Sequence, residues 1–165
     1  MLRTRPFLLA CALGLAACPS GSEDPGVLLG TGEVEFETVG DGDTMQVIRG
    51  PQGGYHLLGS VLVKGMEAGD PDDLGSDRNP TLTFDVVHDG ASIILIDSIT
   101  QGLEDAPASQ APFTHQVVGR FVVLDITSDA ELDGETVTMS ITVEDVQGET
   151  QSDDVTVDLE PHPFN

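Results

Sequence analysis

From Glu33 onward, apolar and polar residues alternate along the chain with a period of two, the signature of strands that bury one face. Val34 and Phe36 alternate with Glu33, Glu35 and Glu37, and Met45 to Arg49 follows the turn Gly40-Asp41-Gly42-Asp43. After Gly50-Pro51-Gln52-Gly53-Gly54, the pattern predicts a long strand from Tyr55 to Lys64 with Leu57, Val61 and Val63 on one face. Leu82, Phe84 and Val86 alternate with Thr81, Thr83 and Asp85. Ile93 to Ile96 and Arg120 to Ile126 are apolar on both faces, which predicts central, fully buried strands. The clearest piece is a C-terminal hairpin. Val137, Met139, Ile141 and Val143 share one face, Gln147-Gly148-Glu149 turns the chain, and Val155, Val157 and Leu159 continue the inward face. No stretch longer than a turn or two has helical periodicity, and there is no internal repeat. Short strands with regular turn signals predict an all-β, antiparallel β-sandwich.

A different pattern precedes this domain. Arg3 and Arg5 flank an unbroken run of eleven small or apolar residues, Phe7 to Ala17. The run suits the apolar stretch of an export signal and is too short to span a bilayer, which takes roughly 20 residues. Leu15-Ala16-Ala17-Cys18 resembles the lipobox of bacterial lipoproteins. The resemblance implies cleavage before Cys18, diacylglyceryl on its sulfur and often an acyl chain such as palmitate on the new amine. Two or more chains anchor a protein stably where one does not. It implies a lipid-anchored protein of the bacterial cell envelope; the outer membrane is favoured over the inner, and the choice between them is left open. Cys11 leaves with the signal, so the mature chain has no disulfide and must be stable through its core alone.

Pro19 to Thr31 is rich in Pro, Gly, Ser and acids and reads as a flexible tether. At about 3.3 Å per residue its 13 residues reach at most roughly 43 Å. The expected organisation is a signal peptide at 1–17, a lipidated tether at 18–32, a sandwich domain at 33–160 and a short tail at 161–165.

All 29 acids lie beyond the signal, against Arg49, Lys64, Arg78 and Arg120, a formal charge of −25. Nucleic acid is excluded as a partner, because a phosphate backbone is bound through Lys and Arg. The same charge opposes lying on anionic head groups. Cations, basic partners, or a solvated acidic coat remain. With no Trp and only Tyr55, a stacking platform for sugars is not expected.

The hairpin "GETVTMSITVEDVQGETQSDDVTVDL", residues 134–159, resembles the last two strands of bacterial immunoglobulin-like modules of the polycystic-kidney-disease-repeat or cadherin-like kind. "RGPQGGYHLLGSVLVKG" resembles small envelope lipoproteins, a likeness that implies no particular activity.

The most suggestive chemical cluster is Asp70-Pro71-Asp72-Asp73-Leu74-Gly75-Ser76-Asp77. Ca²⁺ takes six to eight oxygens from closely spaced carboxylates and carbonyls. Asp70, Asp72, Asp73 and Asp77 are the candidate ligands, with Asp41 and Asp43 as further donors. The loop is not an EF-hand, because Leu74 and Thr81 stand where acidic ligands belong. The competing reading is a solvated Asp/Pro/Gly turn. His56, His88, His115 and His162 show no metal-ligand spacing. No G-x-S-x-G, H-E-x-x-H, P-loop or nucleophilic Cys occurs, and Gly50 to Gly54 reads as a turn. The expected function is a structural or protein-binding envelope module without catalysis and without a cofactor. Its partners would be the membrane, through the lipid, and an envelope protein. The alternatives are a Ca²⁺-stabilised adhesion module and a ligand-binding or enzymatic lipoprotein with a scattered site.

Overall fold

The computed structural model describes residues 26–163. Cys18, the export signal and the start of the tether lie outside the described residues. The rest is all-β. One sheet runs β2 (Glu37–Thr38), β1 (Gly26–Thr31), β4 (Tyr55–Lys64), β9 (His115–Leu124) and β8 (Glu104–Asp105). The other runs β3 (Thr44–Arg49), β11 (Thr150–Pro161), β10 (Thr136–Glu144) and β5 (Thr81–His88), with β6 (Ala91–Ser92) and β7 (Ser98–Thr100) along the far side of β5.

Two crossings join the sheets. The first four residues of β3 pair with β11 through Thr44–Asp158 to Val47–Pro161, and its last two residues pair with β4 at His56 and Tyr55. On the opposite side, the chain between β6 and β7 leaves β5 for β9. Ile93 donates to the Val86 carbonyl at 2.9 Å and accepts from the Asp125 amide at 2.8 Å, and Leu95 donates to the Val123 carbonyl at 2.8 Å. Asp97 then returns to β5, accepting from the Phe84 amide at 2.8 Å. A continuous ring of backbone hydrogen bonds follows: β3, β4, β9, residues 93–95, β5, β10, β11 and β3 again. The closure links both sides of the sandwich, while among the described residues β9 from Val117 to Val122 and β11 from Thr150 to Val155 keep a strand partner on one side only.

The ring encloses one apolar core. Leu57, Val61, Val63, Val122 and Leu124 face Leu82, Phe84, Val86, Met139, Ile141, Val143, Val157 and Leu159, all buried. At the β4–β9 bulge, Gly119 has φ +70°, and a Cβ there would sit 2.4 Å from the Glu33 carbonyl oxygen. Buried Ser60 locks the bulge, accepting from the Gly119 amide at 3.1 Å and donating to the Gly32 carbonyl at 3.3 Å.

Several sequence expectations meet a different outcome. The sandwich is not purely antiparallel, because β3 and β11 run parallel. About a hundred residues separate them, ample for the crossover that a parallel pair needs. Sheet is already present at Gly26–Thr31, ahead of residue 33. β1 pairs with β4 from Gly26–Lys64 to Gly30–Ser60 and buries Leu29, so part of the expected tether is sheet. Glu33 to Glu37 is not an alternating strand. The chain loops so that Phe36 folds over Gly30, where a Cβ would lie 2.4 Å from the ring, and Val34 is left 88% exposed. Ile93 to Ile96 is not a buried central strand but the crossing described above, with Leu95 and Ile96 in solvent. β9 is buried on one face only.

If the ring closure matters energetically, Leu95→Pro removes the amide that bonds Val123 while changing an exposed side chain. It should lower unfolding free energy by about 1–3 kcal/mol in urea titration, whereas Leu95→Ala should be close to neutral. Equal midpoints for the two variants would show that the crossing is incidental. Ile141→Asp, by contrast, should abolish the cooperative transition altogether, since an unpaired buried charge costs several kcal/mol or more.

Candidate functional site

The outer face of the first sheet carries an uncovered apolar ridge. On β4 and β9, Leu58 stands opposite Phe121 and His56 opposite Val123, all on the side away from the core. The backbone bond from Leu95 to Val123 sets Leu95 beside them, and Ile48 of β3 pairs with His56 on the other flank. Phe121 is 65% exposed, Ile96 64% and Leu95 59%. His56, only 8% exposed, is tilted against Phe121 with ring centroids 4.4 Å apart. Burial holds its imidazole below the ordinary histidine range.

The ridge borders an open cleft of about 510 Å³. Ile48 and Leu58 line the cleft as well as the ridge, and Glu33, Glu37, Asp43 and Glu160 supply its carboxylates. No lysine or arginine lines it. The loop that folds Phe36 over Gly30 forms one wall, bringing Glu33 and Glu37 to the rim. The wall shields one part of the outer face; beyond it Phe121 and Leu95 are exposed, with Leu58 and Val123 half-buried beside them.

Of the six acids singled out in the sequence, Asp41, Asp43, Asp70 and Asp73 accept hydrogen bonds from backbone amides. Residues 70–79 form three consecutive turns, in which the Asp73, Ser76 and Asn79 amides donate to the Asp70, Asp73 and Ser76 carbonyls. The Asp70 carboxylate accepts from the Asp72 amide at 3.1 Å and that of Asp73 from the Gly75 amide at 2.9 Å. Buried Asn79 ties the loop together, accepting from the Asp70 amide and donating to the Asp73 carbonyl, both at 2.8 Å. Asp72 and Asp77 point into solvent. Asp43 accepts from the Gly40 amide and braces its own turn, and Asp41 accepts from the Thr156 amide and ties that turn to β11. Among the described residues, no three His, Cys, Asp or Glu side chains stand where they could hold a metal ion. Within the loop, the Asp70 and Asp73 carboxylates act as acceptors for backbone amides.

The histidines stay apart too. His88 meets Glu135 at 3.2 Å, and His115 meets Thr114 at 2.9 Å and Asp105 at 3.9 Å. A second cleft of about 440 Å³ includes His115, Glu67, Asp145 and Glu149. The buried Asp145 carboxylate there accepts from the Glu67, Gln147 and Glu149 amides and so closes the β10–β11 hairpin. One local device was in the sequence as Ser128-Asp129-Ala130-Glu131. It is a capping box on a short 3₁₀ turn, Asp129–Glu131. Hydrogen bonds from Thr127, chiefly its hydroxyl, and from Ser128 hold the Glu131 carboxyl below its ordinary value.

Compared with protein-family models, with curated proteins and with solved structures, the chain gives no match. The function must therefore be argued from the ridge and the cleft themselves.

Two measurements probe this region. His56 is neutral in the fold, and the unfolded chain takes up its proton near pH 6.5. With the folded value lower than the unfolded one, the stabilising difference is complete above about pH 6.5 and is lost as pH falls towards the folded value. Unfolding free energy should drop between pH 7.5 and 5.5, and His56→Gln should flatten that drop. Parallel pH profiles for both proteins would assign the drop to other groups. In the Asp-rich loop, Asn79→Ala strands an amide and a carbonyl. It should cost about 1–3 kcal/mol in thermal or urea unfolding, while Asp72→Asn and Asp77→Asn should change stability by less than about 0.5 kcal/mol.

Proposed function

We propose that this chain is an exported, lipid-anchored β-sandwich module of the bacterial cell envelope that works by holding a protein partner, without chemistry of its own. The Arg-flanked apolar run ending in Leu15-Ala16-Ala17-Cys18 supports export and lipid attachment at Cys18. The observation that carries the binding role is the open apolar ridge at Leu58, Phe121, Val123 and Leu95. Contiguous exposed apolar surface on a soluble domain marks interaction sites more often than chance. The strand order supports an immunoglobulin-like module: β4, β9 and β8 packed over β3, β11, β10 and β5, with the strand that switches sheets running parallel to the last.

The start of β1 sets the geometry of such an anchor. From Cys18 to Gly26 is eight residue steps, a reach of roughly 28 Å at full extension. Gly26 lies at the end of the sandwich that carries Lys64 and the β10–β11 turn, and the chain leaves β11 at the opposite end. An anchored domain would hold the first end towards the bilayer and present the ridge sideways.

Cys18→Ser should abolish incorporation of labelled palmitate and move the protein from the membrane to the soluble fraction. A Cys18→Ser protein that still fractionates with membranes would overturn the anchoring. For the binding role, photocrosslinking from residue 121 in intact cells should give a discrete adduct. A chain that gives none from residues 58, 95 or 121 argues for a purely structural part.

A further inference from the structure

We infer that the ridge and its neighbouring cleft form one docking surface for a basic, amphipathic protein segment, which lays apolar side chains on Leu58, Phe121, Val123 and Leu95 and Lys or Arg side chains in the cleft. This rests on the protein-binding reading above and names the chemistry of the partner.

The two features are continuous. Leu58 belongs to both, as the residue opposite Phe121 and as part of the cleft wall, and Ile48 joins the cleft to His56. A segment crossing from one to the other passes from apolar to acidic surface within one side-chain width. The cleft presents Glu33, Glu37, Asp43 and Glu160 with no base among its lining. The far end of the ridge is acidic too. Ile94 and Leu95 line a cleft of about 390 Å³ with Asp85 and Asp97. Apolar surface flanked on both sides by carboxylates is complementary to apolar residues flanked by cations, and such complementarity sets orientation and encounter rate.

The same charges argue against other occupants. A second copy would bring the same carboxylates and another formal −25 against this surface, and like charges juxtaposed across an interface are penalised. An anionic membrane surface is repelled for the same reason. Phe121 has the character of an interface anchor: large, aromatic and exposed, with one side resting on the His56 ring.

The test uses the whole mature chain from residue 18, with Cys18→Ser so that no lipid enters the measurement. The probe is a short peptide alternating lysine and leucine, and the control alternates lysine and serine at the same charge. The lysine–leucine peptide should bind at least about tenfold more tightly, because apolar anchors dominate interface energy. Phe121→Ser with Leu95→Ser, both exposed in the free protein, should erase about tenfold of that affinity. Glu33→Gln with Glu37→Gln should weaken binding at low salt and reduce its salt dependence. Equal binding of the two peptides would overturn the inference and leave only a general acidic coat. So would affinity unchanged by Phe121→Ser with Leu95→Ser. The reading it rests on fails separately. If the peptides ignore the ridge while the residue-121 crosslink forms in cells, the protein binds a partner of other chemistry. If the crosslink is absent as well, the binding role falls with it.

Discussion

The rest of this structure depends on a closed ring of backbone hydrogen bonds. A sheet with an edge leaves a row of amides and carbonyls unpaired, and burying or exposing that row carries a cost. Here β3 closes one side of the sandwich by splitting its pairing between β11 and β4, and residues 93–95 close the other by stepping from β5 to β9. The closure fixes the relative position of the two inner faces. Leu57 and Val122 on one sheet then meet Phe84 and Met139 on the other without a disulfide to hold them. Gly59 shows how tight the fit is, since a Cβ there would lie 2.7 Å from Phe84 and 3.1 Å from Met139.

Closure also decides what is left outside. A two-sheet ring has one enclosed core and two outer faces, and each outer face must be polar, covered or used. On the second sheet the outward residues of β10 and β11 are Thr, Ser, Asp and Glu, a polar answer. On the first sheet the loop before β2 covers the β1 side, through Phe36 over Gly30 and the Ser60 hydroxyl on Gly32. On the remainder, His56 is buried against Phe121, and Leu58 and Val123 are half-buried, while Phe121 and Leu95 stay exposed. β1 is tied instead to the opposite sheet, where inward-facing Asp153 of β11 accepts from the Leu29 amide at 2.8 Å. The ridge is thus the part of the outer surface that neither polarity nor packing accounts for.

What was legible in the sequence follows from the same geometry. The hairpin Val137–Leu159 was readable to the residue, because one face sees core and the other water along its whole length. Tyr55–Lys64 was readable for the same reason on its inner face. Ile93–Ile96 was misread because a run apolar on both faces has two physical causes. It can lie in the middle of a buried sheet, or it can cross from one sheet to another and change which side is inward partway along. Phe121 falls to the same ambiguity, since its exposure depends on whether another layer lies above β9. β1 was hidden because Gly26 and Gly30 made its residues look like linker, whereas Gly30 is required by the approach of Phe36. A contact between loop and strand leaves no periodic trace. The Asp-rich loop was legible as a turn, and its repeat of acceptors at three-residue spacing is what Asx turns need.

The acids therefore divide into two populations that composition alone cannot separate. Asp41, Asp43, Asp70, Asp73, Asp145, Asp153 and Glu131 each accept hydrogen bonds from backbone amides. In a chain with four strong bases beyond the signal, carboxylates replace ion pairs as the means of fixing loops, because an amide donor is available at every turn. These groups are committed to the fold, and part of the −25 is the by-product of how its turns are built. The carboxylates of Glu33 and Glu37 belong to the second population. They line the cleft that Leu58 shares with the ridge, beside the one exposed aromatic ring among the described residues. Lining that cleft, they accept from no backbone amide in the turns described above.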